Sequence, residues 1–250
     1  MDLREMRDVP VQRHPWETAR VKAIAKVLGA SLHEGMSILD IGCGDSYVCG
    51  TLFDRLSDRR ITAVDINLTQ EQLQRMQKAD KKAAKGITYL TQLPPKGSCF
   101  DLTLLLDVVE HVEEDHLFLT CIVSRHVPQG GRVMVTVPAF EKLYCGHDLF
   151  LGHHRRYRLK TVEHLARTAG LEIISSGYLF GCLLLPKLIL YKILDTPRSS
   201  HGIGCWNRGA AATALLVKLL HWENCLMLAA AKVGVKLPGL TAWVLCEKTC

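Results

Sequence analysis

Apolar positions along this chain switch repeatedly between a helical and an extended rhythm. Val21, Ile24, Leu28 and Leu32 fall on one helical face ahead of Gly35. The run "SILDIG" reads as a strand, and "SYVCGTLFDRLSD" returns to helical spacing with Val48, Leu52 and Leu56 on one stripe. "RITAVDI" is a second strand ending at Asp65, and Thr69 with Gln72 forms a capping box for a helix running to about Lys82. "GITYL" and "FDLTLLLDVVEHV" give two more strands, "DHLFLTCIVSRHV" a helix, and "GGRVMVTVPAF" a strand too apolar to be exposed on either face. "LKTVEHLARTAG" is a helix with Thr161 as its expected N-cap and Gly170 just past its end, and the strand "LEIISSGYLF" follows. The last strand, "TAWVLCEK", comes only after about sixty residues of helical pattern.

Parallel neighbours need crossover connections, so this alternation predicts an α/β fold with a doubly wound, mainly parallel, seven-stranded sheet of Rossmann-like design. An N-terminal helix precedes it, and residues 181–236 form a helical insertion before the last strand. The whole of 1–250 is expected to be one domain, and 250 residues at 48% hydrophobic suffice for its core.

Composition narrows the setting. The charged start "MDLREMRDVPVQRHPWE" has no apolar stretch after it, so no ordinary cleaved secretory signal is expected and the chain reads as cytoplasmic. Its ten cysteines form no CxxC and no paired ligand spacing, which suits reduced thiols packed as small apolar groups. The net charge of +6 is concentrated: residues 181–240 hold seven Lys or Arg against Asp195 and Glu223.

Chemistry starts at the first strand-to-helix turn. Gly42 and Gly44 let the backbone turn sharply and let a ligand approach it, at the carboxyl end of a strand where open sheets bind ligands. Asp65, at the end of the next strand, is placed to accept hydrogen bonds from ribose hydroxyls. A dinucleotide fingerprint needs a third glycine at position 47, which is Tyr, and Asp45 puts a negative charge where a phosphate would lie. The turn therefore predicts a nucleoside ligand without diphosphate, against a nicotinamide oxidoreductase.

"LDIGCGDS", then "AVDI", "FDLTLLLDVVEHV" and "GGRVMVTVP", in this order and spacing over roughly residues 36–180, resemble the class I S-adenosylmethionine-dependent methyltransferases. The resemblance implies S-adenosyl-L-methionine as cofactor, with Asp40, Gly42, Cys43 and Gly44 around its methionine part, Asp65 on the ribose and Ile66 beside the adenine. Thr91 and Gln92 occupy the segment that usually touches adenine, although the aspartate often found there is missing. Asp107 and Val108 fall near the sulfonium end. The N-terminal helix covers the cofactor in many members, which gives Trp16 a place over the site; a hydrophobic staple at the helix start is the other role for it.

A second constellation, "HDLFLGHHRRYRLK", lies just beyond a buried strand, where α/β enzymes keep their substrates, and resembles a "HD…GH.RRY" segment in a subset of the family. His147, His153 and Tyr157 are the expected catalytic residues, with His111 a further base, and His154, Arg155 and Arg156 the expected substrate contacts, an arginine pairing an acidic group. A solvated basic face is the plainer alternative. No metal is expected, because no i, i+4 histidine pair or cysteine partner supports one.

The insertion is apolar and punctuated by lysines. Pro186 and Lys187 interrupt its first half and Lys218, His221 and Glu223 its second, so neither half reads as a spanning helix. A substrate-binding cap is expected there, with peripheral contact to the inner membrane surface as the alternative. The expected function is methyl transfer to a small-molecule or lipid-linked acceptor; the alternatives are a non-catalytic cofactor-binding protein and an RNA methyltransferase. Nucleic acid is not expected, because the positive charge is interleaved with Leu, Ile and Ala and not with stacking residues. The sequence sets no oligomeric state.

Overall fold

The computed structural model describes residues 13–56, 58–83, 86–189, 206 and 208–249. The charged stretch 1–12 and the part of the insertion carrying Lys192 and Arg198 lie outside the described residues. Seven strands, β1 (Ser37–Ile41), β2 (Arg60–Val64), β3 (Ile87–Leu90), β4 (Leu102–Leu106), β5 (Arg132–Pro138), β6 (Leu171–Leu179) and β7 (Thr241–Lys248), form one sheet. Its order is β3-β2-β1-β4-β5-β7-β6. All neighbours are parallel except β7, which runs antiparallel to both β5 and β6. The expected mainly parallel seven-stranded sheet is what the chain adopts.

Among the described residues, eight α-helices accompany the strands: α1 (Pro15–Leu28), α2 (Tyr47–Leu52), α3 (Gln70–Ala83), α4 (Asp115–His126), α5 (Gly146–Leu151), α6 (Leu159–Thr168), α7 (Leu184–Leu188) and α8 (Gly209–Lys232). One face of the sheet packs a cluster built on Ile24, Leu28, Phe53, Leu104, Leu220 and Trp243, and the other a cluster built on Leu105, Leu119, Ile122, Val162 and Val244. Every side chain of β4 is buried, as a central parallel strand covered on both faces requires. The capping box is present: Thr69 and Gln72 each accept the other's backbone N–H, at 3.2 and 2.9 Å. Thr161, however, is not the cap of α6, because the helix begins two residues earlier with Arg158 in the capping position.

Strain gathers on one edge. Ser46, Asp107, Phe140 and Phe180 have φ of 58, 59, 63 and 63°, the four described non-glycine residues with positive φ. They follow β1, β4, β5 and β6, so each lies at the carboxyl end of the sheet, where stored backbone strain commonly marks a working site.

The second half of the insertion departs from expectation. Lys218, His221 and Glu223 do not interrupt it: α8 is one 24-residue helix, by length and composition alone long and apolar enough to cross a membrane. Its inner face packs on α1 and β6. Three successive contacts fix it there. Glu223 accepts the Cys182 N–H at 2.5 Å, buried Asn224 accepts the Phe180 N–H at 2.9 Å, and Met227 sulfur meets the Gly181 N–H at 3.3 Å. Gly239, leading from α8 into β7, lies so close to the Leu179 carbonyl that a Cβ there would collide with it.

Candidate active site

The first wall is the turn after β1. Gly42 and Cys43 both donate backbone N–H to the Val64 carbonyl, at 2.7 and 3.1 Å, which folds the turn back over the end of β2. Gly42 has φ of 72°, and a Cβ there would come within 2.5 Å of Val108 Cγ2, so the β1 and β4 turns touch only because position 42 has no side chain. Asp65 accepts the Gly44 N–H at 3.0 Å on one carboxylate oxygen and the Asn67 N–H at 2.9 Å on the other. Asp40 is buried, and burial pushes its carboxyl up to about 7. Ile66 is exposed and Gln92 lies on the surface, both at the rim.

Tyr47 does not fill this crease. Its ring lies under the Arg13 guanidinium, 4.1 Å from the centroid, and its hydroxyl is 3.4 Å from that of Thr18 in α1. Arg13 also pairs with Asp45, so the negative charge expected to repel a phosphate is largely met within the chain.

Helix α1 reaches across to the second turn. Arg20 pairs with Asp107 at 2.8 Å and donates to Thr136 at 2.7 Å, while Thr136 donates to Asp107 at 3.0 Å. Asp107 is thus held in its left-handed conformation by partners on α1 and β5, and is not a cap of the following turn. Trp16 lies between Arg20 and Phe180, with ring centroids 5.7 Å apart in the aromatic pair. Arg20 Nε is buried with no acceptor among the described residues.

A second wall, continuing from Val108, joins the 3-10 turn Val109–His111 to α5 and the stretch 152–158. At its centre is Asp148, wholly buried, which accepts Arg156 Nε at 2.8 Å and Nη2 at 3.0 Å, the Cys145 N–H at 2.8 Å, and lies 2.9 Å from His153 Nδ1. Burial pushes its carboxyl upward, but the bonds from His153, Arg156 and Cys145 outweigh that and hold it well below the usual carboxylate range. The His153 backbone is fixed too: its N–H donates to the Asp148 carbonyl and its carbonyl accepts the Tyr144 hydroxyl at 2.6 Å.

Several expected roles change here. Arg156 is buried and spent on Asp148, so its guanidinium is not presented to a substrate acid, whereas Arg155 donates to Asp115 and to the Glu113 carbonyl with 37% of its side chain exposed. Tyr157 is buried and donates to Asp115 at 2.7 Å; burial, then Asp115, raise its hydroxyl far above its ordinary value, which suits a strut and not a catalyst. His154 is exposed, and its backbone N–H donates to the Glu110 carbonyl at 2.7 Å. His147 is half-buried, and burial followed by the charge of Lys187 lowers its pKa.

Glu110 is the residue that the sequence left unmarked. It is completely buried, neither carboxylate oxygen has a hydrogen-bond partner among the described residues, and burial followed by the charge of Asp107 drives its pKa well above the usual range. His111 and His153 stand edge to face 4.6 Å apart. One ligand atom from each of Glu110, His111 and His153 lies within 4.8 Å of the others, a set that could hold a metal ion, with Asp148 behind His153 as its outer partner. Its only sequence signal was the adjacency of Glu110 and His111 in "VVEHV".

Comparison with known proteins gives a consistent result. The methyltransferase-domain family matches residues 14–176. A ubiquinone biosynthesis O-methyltransferase of Rhizobium rhizogenes is 28% identical over 178 residues, 65% of this chain and 70% of that enzyme. Its counterpart in Bartonella bacilliformis is 29% identical over 107 residues, and the matched part spans only 42% of that enzyme's length. Among solved structures, a protein from Galdieria sulphuraria assigned as a sarcosine dimethylglycine methyltransferase superposes with a TM-score of 0.57 at 14% identity, covering 94% of this chain and 85% of that one. The [4+2]-cyclase SpnF superposes at 0.56 and 16% identity, covering 91% and 81%. These structural matches speak to fold alone.

Proposed function

Because the chain belongs to the methyltransferase-domain family, whose cofactor is S-adenosylmethionine, we propose that it methylates a hydroxyl group on a small, largely apolar acceptor in the cytoplasm. The bound cofactor supplies an activated sulfonium methyl group. The crease fits such a molecule: a sharp glycine turn at the end of β1 whose position 42 has no room for a Cβ beside Val108, Asp65 at the end of β2, and no helix-start glycine triplet for a diphosphate. Asp40 and Asp65 would hold the amino-acid and ribose ends, and α1, tied down by Arg20 and Asp107, would keep water out. The 181–236 helices would cap the acceptor within the same 1–250 domain.

One observation carries the hydroxyl reading: the 2.9 Å pair between His153 and Asp148. An ionised carboxylate only accepts, so His153 carries its proton on Nδ1 and keeps its other ring nitrogen basic. That nitrogen can take the acceptor proton, and the imidazolium that forms stays beside Asp148. A base matters for a hydroxyl and little for a free amine, and an oxygen acceptor also agrees with the names of the curated relatives.

The test is turnover with S-adenosylmethionine and a panel of phenols and catechols. His153→Ala should lower kcat by about 10²–10⁴-fold and leave cofactor affinity unchanged. Unaltered turnover removes His153 as base. Cofactor binding without methylation of any acceptor would favour the non-catalytic alternative.

A second reading is favoured by the unpartnered Glu110: with His111 and His153 it would bind a divalent ion that acidifies the hydroxyl directly. Metal analysis of protein equilibrated with Mn²⁺ or Zn²⁺ decides between them. A stoichiometric ion lost in Glu110→Gln supports the metal, and no bound ion leaves the histidine base.

A further inference from the structure

A helix on the surface of a globular domain has one apolar stripe, turned inward. α8 has two. Val217, Leu220, Asn224, Met227 and Leu228 are buried. Leu215, Leu219, Trp222 and Leu226 are 60, 54, 65 and 50% exposed. They follow i, i+4, i+7, i+11 spacing, and at about 100° per residue they line up on the side of the helix opposite the buried set. Past its end, Val233, Val235 and Leu237 are exposed as well.

Among the described residues, one shoulder of this stripe is basic. Lys218 lies on one shoulder, and on the same shoulder Lys26 of α1 reaches Cys225 Sγ at 3.2 Å. Lys22 and Lys26 both bear on His221, the neighbour of Trp222: burial and then these two lysines lower the His221 pKa. The sole acidic residue of α8, Glu223, is turned away to Cys182.

We propose that this stripe docks α8 lengthwise on an anionic bilayer surface, with Leu219 and Trp222 entering the acyl boundary and Lys22, Lys26 and Lys218 meeting the headgroups. Exposed Leu and Trp beside a row of lysines is the composition of a helix lying in the interface plane. Spanning is a different matter: the inner face of α8 is part of the cover of the sheet, and Asn224 holds the backbone of Phe180, so crossing a bilayer would strip a core. The inference stands apart from methyl transfer, since its readout involves no turnover.

The full chain is floated with vesicles of phosphatidylcholine alone or mixed with phosphatidylglycerol, at low and high salt. Flotation with the anionic vesicles, reversed by salt and accompanied by a blue shift of Trp emission that Trp222→Phe removes, is the expected result. Leu219→Ser with Trp222→Ser should abolish it, and each lysine changed to Ala should weaken partitioning by about fivefold. These side chains are exposed, so melting temperature and circular dichroism should be unchanged; if the serine pair unfolds the chain, the lysine variants carry the test. Failure to float at low salt overturns the inference, as does flotation indifferent to Trp222 or to the lysines. A stable dimer that Trp222→Ser dissociates, with no vesicle binding, would give the face to a second copy of the chain.

Discussion

Gly42, Gly44 and Asp65 lie within one βαβ unit and are fixed by hydrogen bonds of main-chain N–H groups, whereas Asp148, His153 and Arg156 are fixed by side chains gripping side chains, with Glu110 buried beside them. The first wall is a backbone shape that a few residue types permit. The second is a set of buried charges whose pKa values are pushed apart, Asp148 down and Glu110 up. The glycine wall should therefore answer to sterics and the charged wall to electrostatics.

The largest effect separating them should come from Asp148→Ala, which leaves Arg156 buried without its partner and should destabilise the fold by about 3–5 kcal/mol in denaturant unfolding. A loss below about 1 kcal/mol would mean that the charged wall is not structural. Next is Gly42→Ala. Strain at φ of 72° and contact with Val108 should cost about 1–3 kcal/mol, and Val108→Ala in the same chain should restore part of it. Simple additivity of the two changes would show that the turns do not touch in solution.

Asp65→Ala should weaken S-adenosylmethionine binding by roughly 1.5–3 kcal/mol in calorimetry; unchanged affinity takes Asp65 out of the site. The mildest test is of pH. Asp40 titrates near 7 in the fold, above an unfolded carboxylate, so between about pH 4 and 7 the folded chain keeps a proton that the unfolded chain has released. This contribution to stability is full at acid pH and falls as pH rises through about 7, by at most about 1.4 kcal/mol per unit. Asp40→Asn should flatten that slope in urea melts, and an identical slope would place the titration elsewhere.

The difference between the walls also explains what could be read in advance. Periodicity gave all seven strands, and the glycine turn and Asp65 were legible because their chemistry is written in nearly contiguous residues. The charged wall was misread in part because "GHHRRYR" shows which groups are present but not which are already paired. Asp148 and Asp115 absorb Arg156, Arg155 and Tyr157 through contacts 8 to 42 residues apart. Glu110 escaped notice because an acidic residue in a short turn normally faces water, and only tertiary packing removes the water here. Thr161 failed as a cap for a local reason: Leu159 already turns inward to the core, so the helix starts before the threonine. In α8, single charges on the shoulders of a helix do not break it when its inner face is continuous.

Gly239 carries a mechanical consequence. The backbone leading out of α8 is pressed against the carbonyl of Leu179, while Glu223, Asn224 and Met227 hold three consecutive peptide groups at the end of β6. The helix is keyed to the sheet like a cog, without freedom to roll. Its outer hydrocarbon must face whatever surrounds the molecule, so any substitution that loosens this gearing should let α8 turn and hide its tryptophan.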